Sequence, residues 1–192
     1  MHGLVNRGIE DLATHLGGER LWQRITAAAG VDTQAFVGMD LYPDELTERL
    51  VGAAATVLEM SESEVLHAFG RHWVRYTARK GYGAIFGTMG RTLPEFLGNV
   101  NAMHSRLTLM LPGIQPPSLL CEELTPDRLL VRYWSPRAGL APMIPGLLEG
   151  LGEIFGLTVD VTHVRERADG HEYDEFLVRH APAGVGIAAA PC

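Results

Sequence analysis

Residues 92–111 read TLPEFLGNVNAMHSRLTLML, and the fold turns on how they are read. Leu93, Phe96, Leu97, Val100, Met103, Leu107, Met110 and Leu111 recur at i, i+3, i+4 and i+7, the spacing of an amphipathic helix. Pro112-Gly113 ends it. His104 falls on the apolar stripe, four residues after Val100 and three before Leu107. A buried imidazole needs a partner, because an unpaired buried polar group costs about 1–3 kcal/mol. Two partners satisfy it: a backbone carbonyl, or a metal that accepts a neutral ring nitrogen.

Upstream the chain reads as helices. Leu4, Val5, Ile9, Leu12 and Leu16 keep helical spacing until Gly17-Gly18, and Leu21, Trp22, Ile25, Ala28 and Ala29 give a second helix ended by Gly30. Asp32 is expected to cap a short third piece. Pro43 precedes a helix carrying Leu46, Leu50, Ala53, Ala54 and Val57. Ser61 and Glu64 form a capping box ahead of Val65, Leu66, Phe69, Trp73 and Tyr76. Gly81-Tyr82-Gly83 breaks the pattern before the His104 helix.

Downstream the texture changes at Pro116-Pro117. Ser118–Glu123 and Arg128–Trp134 read as strands about a Thr125-Pro126-Asp127 turn, and Leu140–Phe155 as a helix weakened by Gly146, Gly150 and Gly152. Thr158–Val164 and Glu172–His180 are two more strands. Helices followed by ββαββ predict an α+β fold. The expectation is one domain over residues 1–180, with a helical lobe at 1–60, a sheet-bearing lobe at 61–180, and a disordered tail at 181–192.

Composition excludes several classes. The formal net charge is −7 and no basic run occurs, which argues against nucleic-acid binding. No run of 18 apolar residues suggests a membrane span, and the N-terminus lacks a secretory pattern, so a cytoplasmic protein is expected. Cys121 and Cys192 make neither a disulfide framework nor a CxxC pair. The other seven histidines are scattered, without HExxH, so a tetrahedral zinc site is not expected.

A second constellation is Tyr133-Trp134-Ser135-Pro136-Arg137. In extended backbone Tyr133, Ser135 and Arg137 share a face and present a phenol, a hydroxyl and a guanidinium. That set either faces water or binds a carboxylate, with Arg137 making the charge-assisted contact. Haem needs an axial ligand and something to hold two propionates, and the His104 helix with this clamp supplies both.

The chain resembles the haem-nitric-oxide/oxygen-binding (H-NOX) family, which includes the sensor domain of soluble guanylate cyclase. The resemblance runs over residues 1 to about 180, through MHGLVNRGIEDL, LVGAAATVLEMS, AFGRHWVRYT, GYG, LPEFLGNVNAMHSRL, PPSLLC, YWSPRAGLAPMIPGLL and HEYDEFLVRH. It implies a helical lobe, a second lobe with a four-stranded antiparallel sheet, and haem b between them. By the same resemblance His104 is the proximal ligand, Tyr133, Ser135 and Arg137 clamp the propionates, and Pro117 presses on the porphyrin. Met103, Leu107, Leu147, Val5, Trp73 and Met143 complete the pocket.

Family members that hold O₂ use a distal tyrosine at the start of the helix after the clamp; alignment to Gly146 puts Met143 there. Met143 and Val5 are apolar, so a sensor of NO that also takes CO and excludes O₂ is implied. Binding of NO would break the His104–iron bond and pass a change of shape to a separate partner. Bacterial members act on a histidine kinase or a cyclic-di-GMP enzyme. No enzyme activity is expected. The alternatives are O₂ sensing with Trp73 or Tyr82 as donor, and thiol redox sensing through Cys121, against a plain core role for Trp73 and Cys121.

Overall fold

The computed structural model describes residues 1–32, 35–77, 87–111, 113–184 and 187. Among them stand five α-helices: α1 (Gly3–Ala29), α2 (Asp44–Leu58), α3 (Glu62–Thr77), α4 (Leu93–Met110) and α5 (Met143–Ile154). Four strands occupy the second half: β1 (Ser118–Thr125), β2 (Arg128–Trp134), β3 (Leu157–Arg165) and β4 (Asp174–Pro182). The sheet is antiparallel in the order β1-β2-β4-β3, so the fold is α+β as the pattern predicts. No described helix is long and apolar enough to cross a membrane.

Local chemistry explains most boundaries. Ser61 Oγ accepts from the Glu64 backbone N–H at 3.2 Å while Glu64 Oε2 accepts from the Ser61 N–H at 2.8 Å, the reciprocal capping box that starts α3. Thr92 Oγ1 accepts from the Glu95 N–H at 3.3 Å and Pro94 sits in the first turn, which starts α4. Gly30, at φ 61°, closes α1.

One expectation holds and one is corrected. Gly17-Gly18 breaks the helical run as expected, both residues leaving helical geometry, with Gly18 at φ 71° and ψ −175°, so α1 is two helical stretches joined at a kink. Without a Cβ the backbone takes that left-handed turn and resumes helix at once. The short piece after Asp32 is absent from the described part of that stretch: residues 35–37 carry no helix, and 33–34 lie outside the described residues. The break at Gly81-Tyr82-Gly83, Pro112 and most of the 181–192 tail also lie outside them.

The glycines of α5 have a use that propensity hides. A Cβ on Gly146 would lie 1.9 Å from the His67 carbonyl oxygen, and one on Gly70 would lie 2.1 Å from that of Met143. Backbone therefore meets backbone where α5 crosses α3. Arg71 and Arg75 close the seam by donating to the two oxygens of Glu153, through their Nε atoms at 2.8 and 3.0 Å. These bonds outweigh the burial that would raise the Glu153 carboxyl and hold it below its usual range.

Two hydrophobic clusters result. One joins α1, α2 and the first half of α3 around Ile9, Trp22, Ile25, Leu50 and Phe69. The other joins α4, α5 and the sheet around Leu97, Leu129, Val131, Leu148 and Phe176.

Candidate cofactor site

The stripe on α4 is buried only in its first half. Leu93, Phe96, Leu97 and Val100 are in the core, Met103, His104 and Leu107 are half-buried, and Met110 is 73 % exposed. The period is right but its end is not core. The helix outruns the sheet that covers it.

His104 sits where the stripe emerges. Its Nδ1 donates to the Pro117 carbonyl at 2.9 Å. A carbonyl only accepts, so Nδ1 carries the proton and Nε2 keeps its lone pair. Burial lowers the pKa of the ring against the opposing pull of the Pro117 bond, which favours the neutral form. The backbone-carbonyl and metal-ligand readings of His104 are thus compatible. One nitrogen takes the carbonyl and the other is a free base.

Asn101, one turn earlier, was not singled out in the sequence. Its Nδ2 donates to the Leu119 carbonyl at 2.6 Å and its Oδ1 accepts from the Leu119 N–H at 2.9 Å. A helix side chain therefore plays the part of a neighbouring strand for β1 and fixes α4 against the sheet. The available signal was an amide one turn before a candidate ligand.

Tyr133 and Ser135 are buried. Burial raises the Tyr133 phenol above its ordinary pKa, so it stays protonated and able to donate. Ser135 Oγ accepts from the Arg137 N–H at 3.1 Å. Arg137 Nε donates to Asp44 Oδ2 at 2.7 Å and one Nη donates to the Gln115 carbonyl at 2.9 Å. The guanidinium has already found a carboxylate, and with five N–H groups it has donors left for another. Asp44, also held by the Met1 amine, is a site residue that sequence reasoning missed, because α2 gives no hint of facing the β2 end.

Val5, Trp73 and Met143 converge on the first cluster, with Leu140 and Leu12. Trp73 lies 5.6 Å from Phe69 and 5.9 Å from Tyr76 by ring centroids and seats its ring edge on Gly8. Met103 and Leu147 border the second cluster, with Tyr133 in it. Leu107 belongs to neither. With Met103 it lines a cavity of about 180 Å³ between α4 and residues 88–89, which His104 does not line. Ligand pockets usually run to roughly 300–1,000 Å³. Tyr82 lies outside the described residues.

The α+β domain thus sets a neutral imidazole on α4 and, at the end of β2, a phenol, a hydroxyl and a guanidinium side by side in sequence. The Haem-NO-binding family profile matches residues 2–163, and the chain belongs to that family. It is a haem-binding sensor domain related to soluble guanylate cyclase. Its relatives include the soluble guanylate cyclase gcy-35 of Caenorhabditis elegans, 26 % identical over 94 % of this chain and 26 % of that protein. The soluble guanylate cyclase subunit beta-2 of Rattus norvegicus is 32 % identical over 59 % of this chain and 18 % of that protein. The chain spans about a quarter of the length of such cyclases, or less. Among solved structures, an H-NOX protein from S. oneidensis in the Fe(II)NO ligation state superposes with a TM-score of 0.83, 19 % identity, and coverage of 94 % and 99 % of the two chains. The Fe(II) unliganded H-NOX protein from K. algicida gives 0.80, 18 %, and 97 % and 100 %.

Proposed function

We propose that this chain holds haem b through His104 and senses nitric oxide, taking carbon monoxide as well and discriminating against O₂. The observation that carries the reading is the His104 Nδ1 bond to Pro117, which leaves Nε2 as a neutral, half-buried base. Metal-bound histidines commonly use this arrangement, the second nitrogen fixing tautomer and ring orientation. Haem, when bound, supplies a ferrous iron that takes a diatomic gas.

The remaining residues take roles consistent with their positions. Tyr133, Ser135 and Arg137 receive the propionates, Arg137 with the donors Asp44 and Gln115 leave free. Pro117, Met103, Leu107 and Leu147 flank the His104 side, and Val5, Trp73 and Met143 the gas side. Bound O₂ gathers negative charge and gains from a buried donor, whereas Val5 and Met143 donate nothing. Asn101 and His104 are bonded to Leu119 and Pro117, so a gas-induced displacement of His104 from bound haem would be carried from α4 into β1. A cytoplasmic signalling enzyme reads it, a histidine kinase or a cyclic-di-GMP enzyme, and the domain that sends the signal spans residues 1–180.

The two alternatives fit less well. The Trp73 ring is held by Phe69, Tyr76 and Gly8, as a core residue would be. Burial pushes the Cys121 thiol up to about 11, which keeps it protonated and a poor redox nucleophile.

Absorption spectra test the proposal. The ferrous protein is expected to keep its spectrum under air and to shift on adding NO. A stable oxy form under air overturns the gas assignment. His104→Ala is expected to lose haem unless imidazole is supplied. Normal loading of that variant without imidazole overturns the ligand assignment.

A further inference from the structure

The Tyr133-Trp134-Ser135-Pro136-Arg137 stretch outruns the sheet that presents it. The last β2–β4 pair is Tyr133 with Asp174, and the last β1–β2 pair is Trp134 with Ser118. Ser135 and Arg137 therefore lie past both ladders, and Pro136 between them has no N–H to give. Ser135 is nevertheless only 4 % exposed, so its carbonyl calls for a donor. Groups that meet a ligand in fixed geometry need support from rigid neighbours, and here a strand neighbour is missing.

The turn between β3 and β4 supplies the substitute. Arg167 donates from one Nη to the Ser135 carbonyl at 2.6 Å, and its guanidinium carbon stands 5.6 Å from the centre of the Trp134 ring. A side chain thus takes the place of a ladder N–H, as Asn101 does for Leu119. The turn is itself held. Asp174 Oδ1 accepts from the Arg167 backbone N–H at 3.0 Å and lies 3.1 Å from His163 Nε2. The His163 ring stacks on the fully buried Phe176, 4.3 Å between centroids. Arg167 therefore reaches Ser135 from a turn anchored in the second cluster. Asp44 and Gln115 hold the other end of the same loop through Arg137. Against the burial that raises the Tyr133 phenol, Arg137 and Arg167 both act to lower its pKa, so both positive charges reach that hydroxyl.

We propose that Arg167 is a positioning residue for the carboxylate-receiving loop: its bond to the Ser135 carbonyl fixes where Ser135 and Arg137 stand, and its charge adds a second cation beside them. It acts through the loop and needs no contact of its own with the bound carboxylate. The bond is charge-assisted, and Arg167 is otherwise exposed, so replacing it disturbs the loop and not a packed core. The inference rests on the propionate role proposed above for Tyr133, Ser135 and Arg137.

Arg167→Ala and Arg167→Lys in the full haem-loaded chain test it, beside Arg137→Ala. The readouts are the rate of haem transfer to excess apomyoglobin, the propionate bending bands in the resonance Raman spectrum of the ferrous protein, and the melting temperature. Arg167→Ala is expected to release haem about three to ten times faster, the worth of a charge-assisted bond felt through a loop, and to shift the propionate bands. Arg167→Lys keeps a donor and the charge and is expected to recover most of both. A purely structural role would lower the melting temperature of Arg167→Ala and leave the propionate bands unmoved, and that result overturns the inference. An unchanged transfer rate in Arg167→Ala, with faster transfer in Arg137→Ala, overturns it while the propionate reading stands. Unchanged rates in both variants overturn the propionate reading and this inference with it.

Discussion

Asp44 shows how one side chain can hold a site residue in place through a direct bond to it. Burial alone would raise its carboxyl, but hydrogen bonds from the Met1 amine and Arg137 hold it below the ordinary aspartate value. A carboxyl lowered on folding contributes stability above its unfolded pKa of about 3.9 and loses it as the pH falls through the folded value. The side chain is 40 % exposed, so screening limits the gain to less than about 1 kcal/mol. Asp44→Asn is thus expected to melt slightly below wild type at pH 7, and the gap to close below about pH 4. Thermal melts across that range check it. His104 was legible from sequence because a histidine on an apolar stripe is conspicuous. Asp44 was not, since an acid in the first turn of a helix is commonplace there and its reach to Arg137 is a tertiary fact.

At the level of elements, the period of α4 and the alternation of β2 were readable because burial writes them into the sequence. The burial of Leu129, Val131 and Tyr133 follows period two, as a sheet covered on one face requires. The glycines of α5 read as weakness, because propensity measures an isolated helix. Their use appears only where α3 presses against Gly146 and Gly150 and β3 against Gly152. Gly146→Ala puts a methyl into the His67 carbonyl and is expected to cost about 3 kcal/mol by chemical denaturation, through forced separation of the helices. The same change at an exposed helical glycine would normally stabilise. The end of the buried stripe at Val100 was likewise invisible, since periodicity does not say how far a covering sheet extends.

Across the whole molecule, the Arg137–Asp44 pair ties the end of the sheet to the start of α2, and so one hydrophobic cluster to the other. Arg137→Ala removes that tie together with the donors proposed above for the propionates. The variant is expected to load haem but to lose it faster, by at least about tenfold, from one charge-assisted contact. The rate of transfer to excess apomyoglobin measures this, and an unchanged rate would argue against the clamp.

The bend in α1 bears on how any such tie is felt. A continuous rod passes bending along its length, whereas two glycines in series, one of them left-handed, act as a compliant joint. The stretch before Gly17 seats Ile9 and Ala13, and the stretch after it Trp22 and Ile25, in the same cluster. One bend thus lets a single run of chain feed a common core from two axes.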